Sequence, residues 1–282
     1  MSQPPAFPLD LEREVFEMAA LCHPGTIPTL LCVCRRVCEW TEPMLYRILF
    51  LSRALSNKAQ IAAASSKSKT FLHKAVRHVL VPPVCYLPGT KIEALLAKCS
   101  GATNLILLGL FGEVVEAIQH MRPTKLSVAN PIPGLALGLD HPLFTNVTHL
   151  DLFHAYVLLE ETKCAWEQWR SLASLPMLTH LAISPRLARG ILPGLLAECQ
   201  LLTLVVIGFW DAGYMAVAVE LVQALRVADP RVVVHVALNF LADWQDAAYG
   251  ADDFWARGDR FVVCKRNGQI PRTRYLLDEP EA

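Results

Sequence analysis

The side chains that could bind a metal ion are concentrated near the N-terminus. Cys22, His23, Cys32, Cys34 and Cys38 lie within seventeen residues, and Cys34 and Cys38 are one helical turn apart. Cys32 falls on a different part of the same predicted helix, and the sequence contains no Cys-x-x-Cys knuckle. Because cysteine usually packs as a small hydrophobic residue in helical cores, we predict no metal and no cofactor.

Three histidines recur at one position of a repeated pattern. His78, His149 and His180 each directly precede an apolar residue of a predicted strand. The equivalent position of neighbouring repeats holds other polar residues, namely Asn104, Lys125 and Thr203. The pattern therefore indicates a polar position rather than a ladder of metal ligands.

Known catalytic motifs are absent from the sequence. It has no glycine-rich phosphate loop, no nucleophile-elbow serine and no His-Glu-x-x-His. The adjacent pairs Asp252-Asp253 and Glu160-Glu161 are interpreted as solvated charges, since neighbouring helical residues point about 100° apart and cannot converge on one atom. We predict no catalytic residue and no enzyme activity. The alternative is an α/β enzyme whose active residues lie at strand C-termini without a recognisable motif.

Composition restricts the class of protein further. The 282 residues are 53% hydrophobic and 18% charged, which excludes a disordered chain. Lys+Arg and Asp+Glu both number 26, so no charge excess favours nucleic acid or a membrane as a partner. The least charged stretch, 190–210, divides into a helix and a strand, so we predict no transmembrane segment. With no signal-peptide pattern and nine cysteines, the sequence favours reduced thiols and a cytoplasmic or nuclear location.

The first fifty residues predict short amphipathic helices. Leu11, Val15 and Met18 form one apolar stripe, and a second helix follows Thr26. Helices of this length are marginal in water unless they pack on the rest of the chain or on a partner. Two alternatives remain open at this point, a cap for the following domain and a protein-docking module.

Residues 7–51 resemble an F-box. The segment from Phe7-Pro8-Leu9-Asp10-Leu11 to Val15-Phe16 is similar to its opening, Leu-Pro-x-Glu-Leu/Ile followed by an apolar pair. Leu30-x-x-Val33-Cys34-Arg35 is similar to its second signature, and the segment 40–47 resembles the end of this module in fungal F-box-like proteins. Phe7 replaces the usual leucine, and Val37 stands where an aromatic residue is typical.

This resemblance implies that residues 7–51 dock on a Skp-family adaptor. The protein would then be a non-catalytic, substrate-recruiting subunit of a Skp–cullin–RING ubiquitin ligase, with catalysis left to the partner complex. The residues that the resemblance assigns to adaptor binding are Pro8, Leu9, Leu11, Val15, Phe16, Leu30, Val33 and Trp40.

The remainder of the chain repeats the pattern apolar-x-x-Leu-x-Leu. Its in-register positions are 48, 79, 105, 126, 150, 181 and 204, which are 31, 26, 21, 24, 31 and 23 residues apart. Leucine-rich repeats run about 20–29 residues. Further strands are predicted at 232–238 and 261–264, and helices at 91–98, 113–120, 160–172, 187–199 and 214–227.

Alternating strands and helices predict a parallel sheet. The predicted fold is α/β, with a short helical F-box-like module (1–52), an irregular leucine-rich-repeat-like solenoid (53–275) and a disordered tail (276–282). The repeats resemble degenerate leucine-rich repeats in which the turn-closing asparagine is nearly absent. An ordinary doubly wound sheet is the rival topology.

Strand alternation predicts which side chains face away from the main core. This set, interpreted as the concave face that binds an unknown client protein, comprises Asn104, Lys125, His149, Asp151, Phe153, His180 and Thr203. The alternative is the solvated side of a sheet. Some neighbouring positions are apolar, including Leu80 and Ile106, so either part of the chain covers this face or it forms an apolar binding patch. A repeat scaffold unrelated to ubiquitin remains the second functional hypothesis.

Overall fold

The computed structural model describes residues 7–52, 55–83, 89–108, 112–129, 138–153 and 164–277. At its centre is an eight-stranded, wholly parallel sheet whose strands follow one another in chain order. The strands are β1 Ile48–Phe50, β2 His78–Val81, β3 Asn104–Leu107, β4 Lys125–Ala129, β5 His149–Phe153, β6 His180–Ile183, β7 Leu204–Phe209 and β8 Val232–Val236. The α/β class and the parallel sheet are confirmed.

Helices lie before, between and after these strands. The first three are α1 Leu9–Cys22, α2 Ile27–Leu30 and α3 Arg35–Thr41. Those between strands are α4 Leu55–Ser66, α5 Lys69–Ala75, α6 Gly89–Leu96, α7 Gly112–Ile118, α8 Trp166–Trp169, α9 Pro185–Glu198 and α10 Met215–Ala224. The last two, α11 Phe240–Ala248 and α12 Phe254–Arg266, follow the final strand. In the part of the chain that the structure describes, no helix is both long and apolar enough to span a membrane.

The main core lies on one face of the sheet, beneath the helices that connect the strands. Its central row runs across neighbouring strands in register: Leu49, Val79, Leu105, Leu126, Leu150, Leu181, Val205 and Val232. These residues and a second row two positions further along each strand belong to one continuous apolar cluster. Because alternate strand residues point to opposite faces, the remaining residues of each strand form the second face of the sheet.

A ladder of threonines marks the start of five strands. The hydroxyl of each donates to a carbonyl oxygen at the start of the preceding strand, over 3.1–3.4 Å. The five residues are Thr103, Thr124, Thr148, Thr179 and Thr203. Since every member bonds to the strand before it, the ladder fixes the register along this end of the sheet.

The predicted register was wrong by one residue in the first and seventh strands. Leu49 pairs with Val79, and Val205 pairs with Leu181, where the sequence pattern placed residues 48 and 204. Ile48 and Leu204 lie instead on the second face, where both are buried. Because the second face is also apolar at these two strands, the alternation of apolar and polar residues could not show which residues face the main core. For the seventh strand the threonine ladder does decide, since Thr203 bonds to Thr179, whereas the first strand is preceded by Arg47 and lies outside the ladder.

Two further differences concern secondary structure. Residues 261–264, predicted as a strand, belong to α12, which buries Phe254, Gly258, Val262 and Lys265 along one helical face. A short apolar run fits a strand and a buried helix equally well. The predicted helix 160–172 is represented by α8 and a 3₁₀ turn to residue 174, and its first four residues lie outside the described ones.

The second face of the sheet is covered by α11 and α12, which we call the cover. Beneath α11 lies a small apolar cluster of Ile48, Leu80, Ile106, Trp244 and Ala248. Beneath α12 lies another, of Ala182, Leu204, Val206, Val233, Phe254, Trp255 and Val262. The chain then returns to β8, where Leu276 is buried and bridges Val234, so the predicted tail cannot begin before residue 278. The fold therefore has three layers, namely connecting helices, sheet and cover.

Candidate partner-binding surfaces

The first candidate surface is the outer side of α1. Leu11, Val15 and Met18 lie along one side of this helix and are 51%, 64% and 53% exposed. The opposite side packs inward, with Phe16 half-buried and Ala20 fully buried. Residues at i, i+4 and i+7 share a helix face, so the three exposed residues form a continuous apolar stripe. A stripe of this kind on a packed helix is typical of a contact surface.

The structure divides the eight predicted adaptor-binding residues into two groups. The exposed group consists of Pro8, Leu9, Leu11, Val15 and Val33. The half-buried group consists of Phe16, Leu30 and Trp40. Met18 was not assigned to adaptor binding but is exposed on the same side of α1 as Val15. The spacing of Leu11, Val15 and Met18 in the sequence is the signal that places Met18 on this surface.

The helices around this stripe form a small unit, residues 7–46, which we call the headpiece. Arg36 on α3 donates to Glu12 on α1 over 2.6 Å, and Ile27 and Val37 are buried between the helices. The single helix predicted across residues 26–38 is in fact two, since the backbone turns between α2 and α3. Lys67 pairs with Glu42 at 2.6 Å and so joins the headpiece to the helices behind it. The exposed stripe takes no part in these contacts.

The second candidate surface is the polar row on the second face of the sheet. It is formed by the first residues of five neighbouring strands, His78, Asn104, Lys125, His149 and His180. The cover lies directly on this row. The face is therefore not open, and the structure realises the alternative in which part of the chain covers it.

Charged and aromatic groups join the row to α12. Lys125 Nζ lies 2.5 Å from Asp253 Oδ2, and His180 Nε2 lies 3.0 Å from Asp259 Oδ1. The rings of His149 and His180 stack with centroids 4.0 Å apart, and the Trp255 indole packs edge-on against both. Asp253 also caps α12 by accepting from the Ala256 amide, so its interpretation as a solvated charge was wrong.

Two half-buried histidines of this row, His78 and His149, are held neutral. Burial, assisted by neighbouring positive charges, lowers the pKa of His149 to about 3 and that of His78 to about 4. Both are therefore uncharged at neutral pH. Lys125 adds a positive charge to the row and pairs with the half-buried Asp253.

Asp151 follows His149 by two residues on β5 and is buried on the same face of the sheet. Its neighbours in the sheet register are Ser127 and Ala182. It is 1% exposed, and neither carboxyl oxygen has a hydrogen-bond partner within the described residues. Burial raises its pKa to about 8, and the nearby Ser127 hydroxyl has the smaller opposite effect. A buried carboxyl with no ion pair and with only the Ser127 hydroxyl as a weak hydrogen-bonding neighbour is costly and calls for a functional explanation.

The remaining predicted client residues lie in different places. Thr203 is exposed and belongs to the threonine ladder rather than to the covered row, because the strand register differs by one. The side chain of Phe153 lies outside the described residues. Asn104 is half-buried and lines a cavity of about 20 Å³ between sheet and cover, together with Lys125 and His149.

This cavity gives little support to an enzyme. A volume of about 20 Å³ accommodates one water molecule and no substrate. The polar row lies at the amino ends of the parallel strands, whereas ligands of open α/β sheets bind outside the carboxyl ends. Among the described residues, no three His, Cys, Asp or Glu side chains are grouped so that they could hold a metal ion.

The fold and its two surfaces define a class of protein: a three-layered α/β protein with a parallel sheet in chain order and a helical headpiece. Comparison with known proteins does not narrow this class, since no family model and no curated protein matches the chain.

Proposed function

We propose that this chain is a non-catalytic, substrate-recruiting subunit of a Skp–cullin–RING ubiquitin ligase. The observation that carries the proposal is the exposed apolar stripe of Leu11, Val15 and Met18 on a headpiece whose sequence resembles an F-box. The stripe would bind the adaptor, and the body would be a leucine-rich-repeat-like solenoid that holds the client. The chain would contribute proximity and orientation, while the partner ligase complex performs the ubiquitin transfer.

The second candidate is a repeat scaffold unrelated to ubiquitin, in which the headpiece only caps the sheet. The contacts between headpiece and body favour it. Gln60 on α4 donates to the carbonyl oxygens of both Leu45 and Ile48, and Tyr46 packs edge-on against Phe71. A cap, however, needs no apolar stripe that faces away from the body.

Val15→Glu separates these candidates. We expect the full-length variant to bind a Skp-family adaptor at least about tenfold more weakly than the parent, because a charge would enter the centre of an apolar contact. Val15 is 64% exposed, so its replacement should change the free energy of unfolding by no more than about 0.5 kcal/mol. The measurement is adaptor affinity by calorimetry or surface plasmon resonance.

The matched control is Val217→Glu on α10, which is 46% exposed and far along the chain from the headpiece. This variant should bind the adaptor as the parent does. If the folded parent does not bind any Skp-family adaptor, the ligase proposal is wrong and the scaffold remains.

A further inference from the structure

The cover matches the sheet beneath it in charge and shape. Two of its carboxylates, Asp253 and Asp259, lie on Lys125 and His180. Arg47, at the start of β1, donates to the carbonyl oxygen of Ala248 at the end of α11 over 2.6 Å. The sheet therefore presents a row of cationic and imidazole groups, and the cover satisfies it with oxygen acceptors and an indole ring.

The contact between cover and sheet is less extensive than the main core. The main core is one large apolar cluster, whereas the cover rests on two small clusters, one beneath each helix, which share the half-buried Phe240. Between them the sheet carries Ser127 and Asp151, and the cavity of about 20 Å³ lies there. Within the described residues, the Trp244 indole nitrogen and Nδ1 of His78 are also buried without a hydrogen-bond partner.

These unpaired groups act against a permanently closed contact. A buried donor or acceptor without a partner loses its hydration and gains nothing in return, and an apolar residue of similar volume would be better in a fixed interior. When the cover is lifted, water reaches Asp151, His78 and Trp244 and relieves that loss. This relief offsets part of the cost of exposing the apolar clusters beneath the cover and so lowers the free energy needed for opening.

We infer that α11 and α12 form a releasable cover on the client-binding face, and that a client segment with acidic and aromatic side chains binds in their place. The client would bring carboxylates to Lys125 and His180, where Asp253 and Asp259 now lie, and an aromatic ring to the His149–His180 stack, where Trp255 lies. The cover is then an internal mimic of the client. This inference rests on the proposed function, because that function supplies the client.

The test uses hydrogen exchange of the full-length protein and a double variant, Asp253→Asn with Asp259→Asn. Asparagine keeps the helix-capping acceptor of position 253 but removes the charges that face Lys125 and His180. We expect amides of residues 240–266 to exchange at least tenfold faster in the double variant than in the parent, with strands β3–β6 unchanged. The matched control is Asp252→Asn, whose carboxylate pairs with Arg260 inside the cover. It should exchange as the parent does.

A fluorescent peptide of residues 250–267 then serves as the probe for the opened face. It should bind the double variant at least tenfold more tightly than the parent, and a peptide with Asp253, Trp255 and Asp259 replaced by alanine should not bind. If cover and strands exchange together at one rate in parent and double variant, or if the peptide does not bind an opened variant, the inference is wrong. Adaptor binding is measured on the same samples. If the parent protein does not bind the adaptor, the ligase role is contradicted, but the inference that the cover can be released is not.

Discussion

Replacing Asp151 by asparagine is expected to stabilise the protein at pH 8 and to remove much of its loss of stability above neutral pH. The raised pKa of Asp151, about 8 against 3.8, means that the folded state holds more protons than the unfolded state between these values. Stability from this group is therefore complete below about pH 4 and falls as the pH rises towards 8, opposite to the usual aspartate. Asparagine has the same shape and does not ionise.

The free energy of unfolding, from urea denaturation at pH 6.5 and pH 8, provides the measurement. One pKa unit corresponds to about 1.4 kcal/mol, so the parent should lose on the order of 1–2 kcal/mol over this interval, and Asp151→Asn should not. Other buried groups act outside this window. His149 and His78 destabilise the fold mainly below pH 6.5. Lys265, whose pKa is lowered to about 8, changes the pH dependence of stability mainly above pH 8. An identical slope in parent and variant would show that Asp151 is hydrated in solution.

Gly190→Ala is expected to destabilise the protein by about 2–3 kcal/mol or more. In an exposed helix this exchange normally stabilises by roughly 1 kcal/mol, because alanine has the higher helix propensity. On α9, however, the new Cβ atom would lie 1.9 Å from the carbonyl oxygen of Cys164. The neighbour is backbone and cannot rotate away, so α9 and the segment at Cys164 must move apart, which disturbs the main core to which both belong.

The matched control for this prediction is Gly25→Ala, where a Cβ atom meets nothing within 4 Å. Its free energy of unfolding should differ from the parent's by less than about 0.5 kcal/mol. A second comparison is Gly194→Ala on the same helix, where the Cβ meets the half-buried Trp166 ring, a side chain that can shift. We expect an intermediate loss. Equal stability of Gly190→Ala and the parent would mean that α9 does not pack on Cys164 as described.

The sheet was the most predictable part of the fold. Its strands repeat a leucine pattern whose residues all face one continuous core, and such a face leaves a strict period of two in the sequence. Register failed where the other face is also buried, at Ile48 and Leu204. For Leu204 the sequence does contain a correct signal, because the threonine before each of the five strands β3 to β7 aligns them, but β1 is preceded by Arg47 and has no such signal.

The cover could not be derived from local pattern. Its contacts join residues far apart in the chain, such as Lys125 and Asp253, which are 128 positions apart. Alone, the segment 240–266 shows a short apolar run and mixed charges, and Asp253 looks like any solvated loop carboxylate. Only the sheet beneath it explains why Trp255 and Val262 are buried while Val263 is 51% exposed.

The headpiece surface was partly predictable. The spacing of Leu11, Val15 and Met18 identifies a stripe, but a stripe does not say whether it faces the body or the solvent. That direction is set by Glu12 and Phe16, which lie on the packed side of α1, with Glu12 held by Arg36 from α3. The long-range pair could not be read from the sequence, and it decides which predicted residues are free to bind a partner.

Hydrogen exchange of the full-length chain, with and without a saturating Skp-family adaptor, shows which surface the adaptor covers. If the adaptor docks on the headpiece, exchange slows in α1 and around residues 30–36 and stays unchanged in the sheet, the connecting helices and the cover. Protection spread over the strands, or none anywhere despite a folded headpiece, would contradict the claim that the exposed side of α1 is a docking surface.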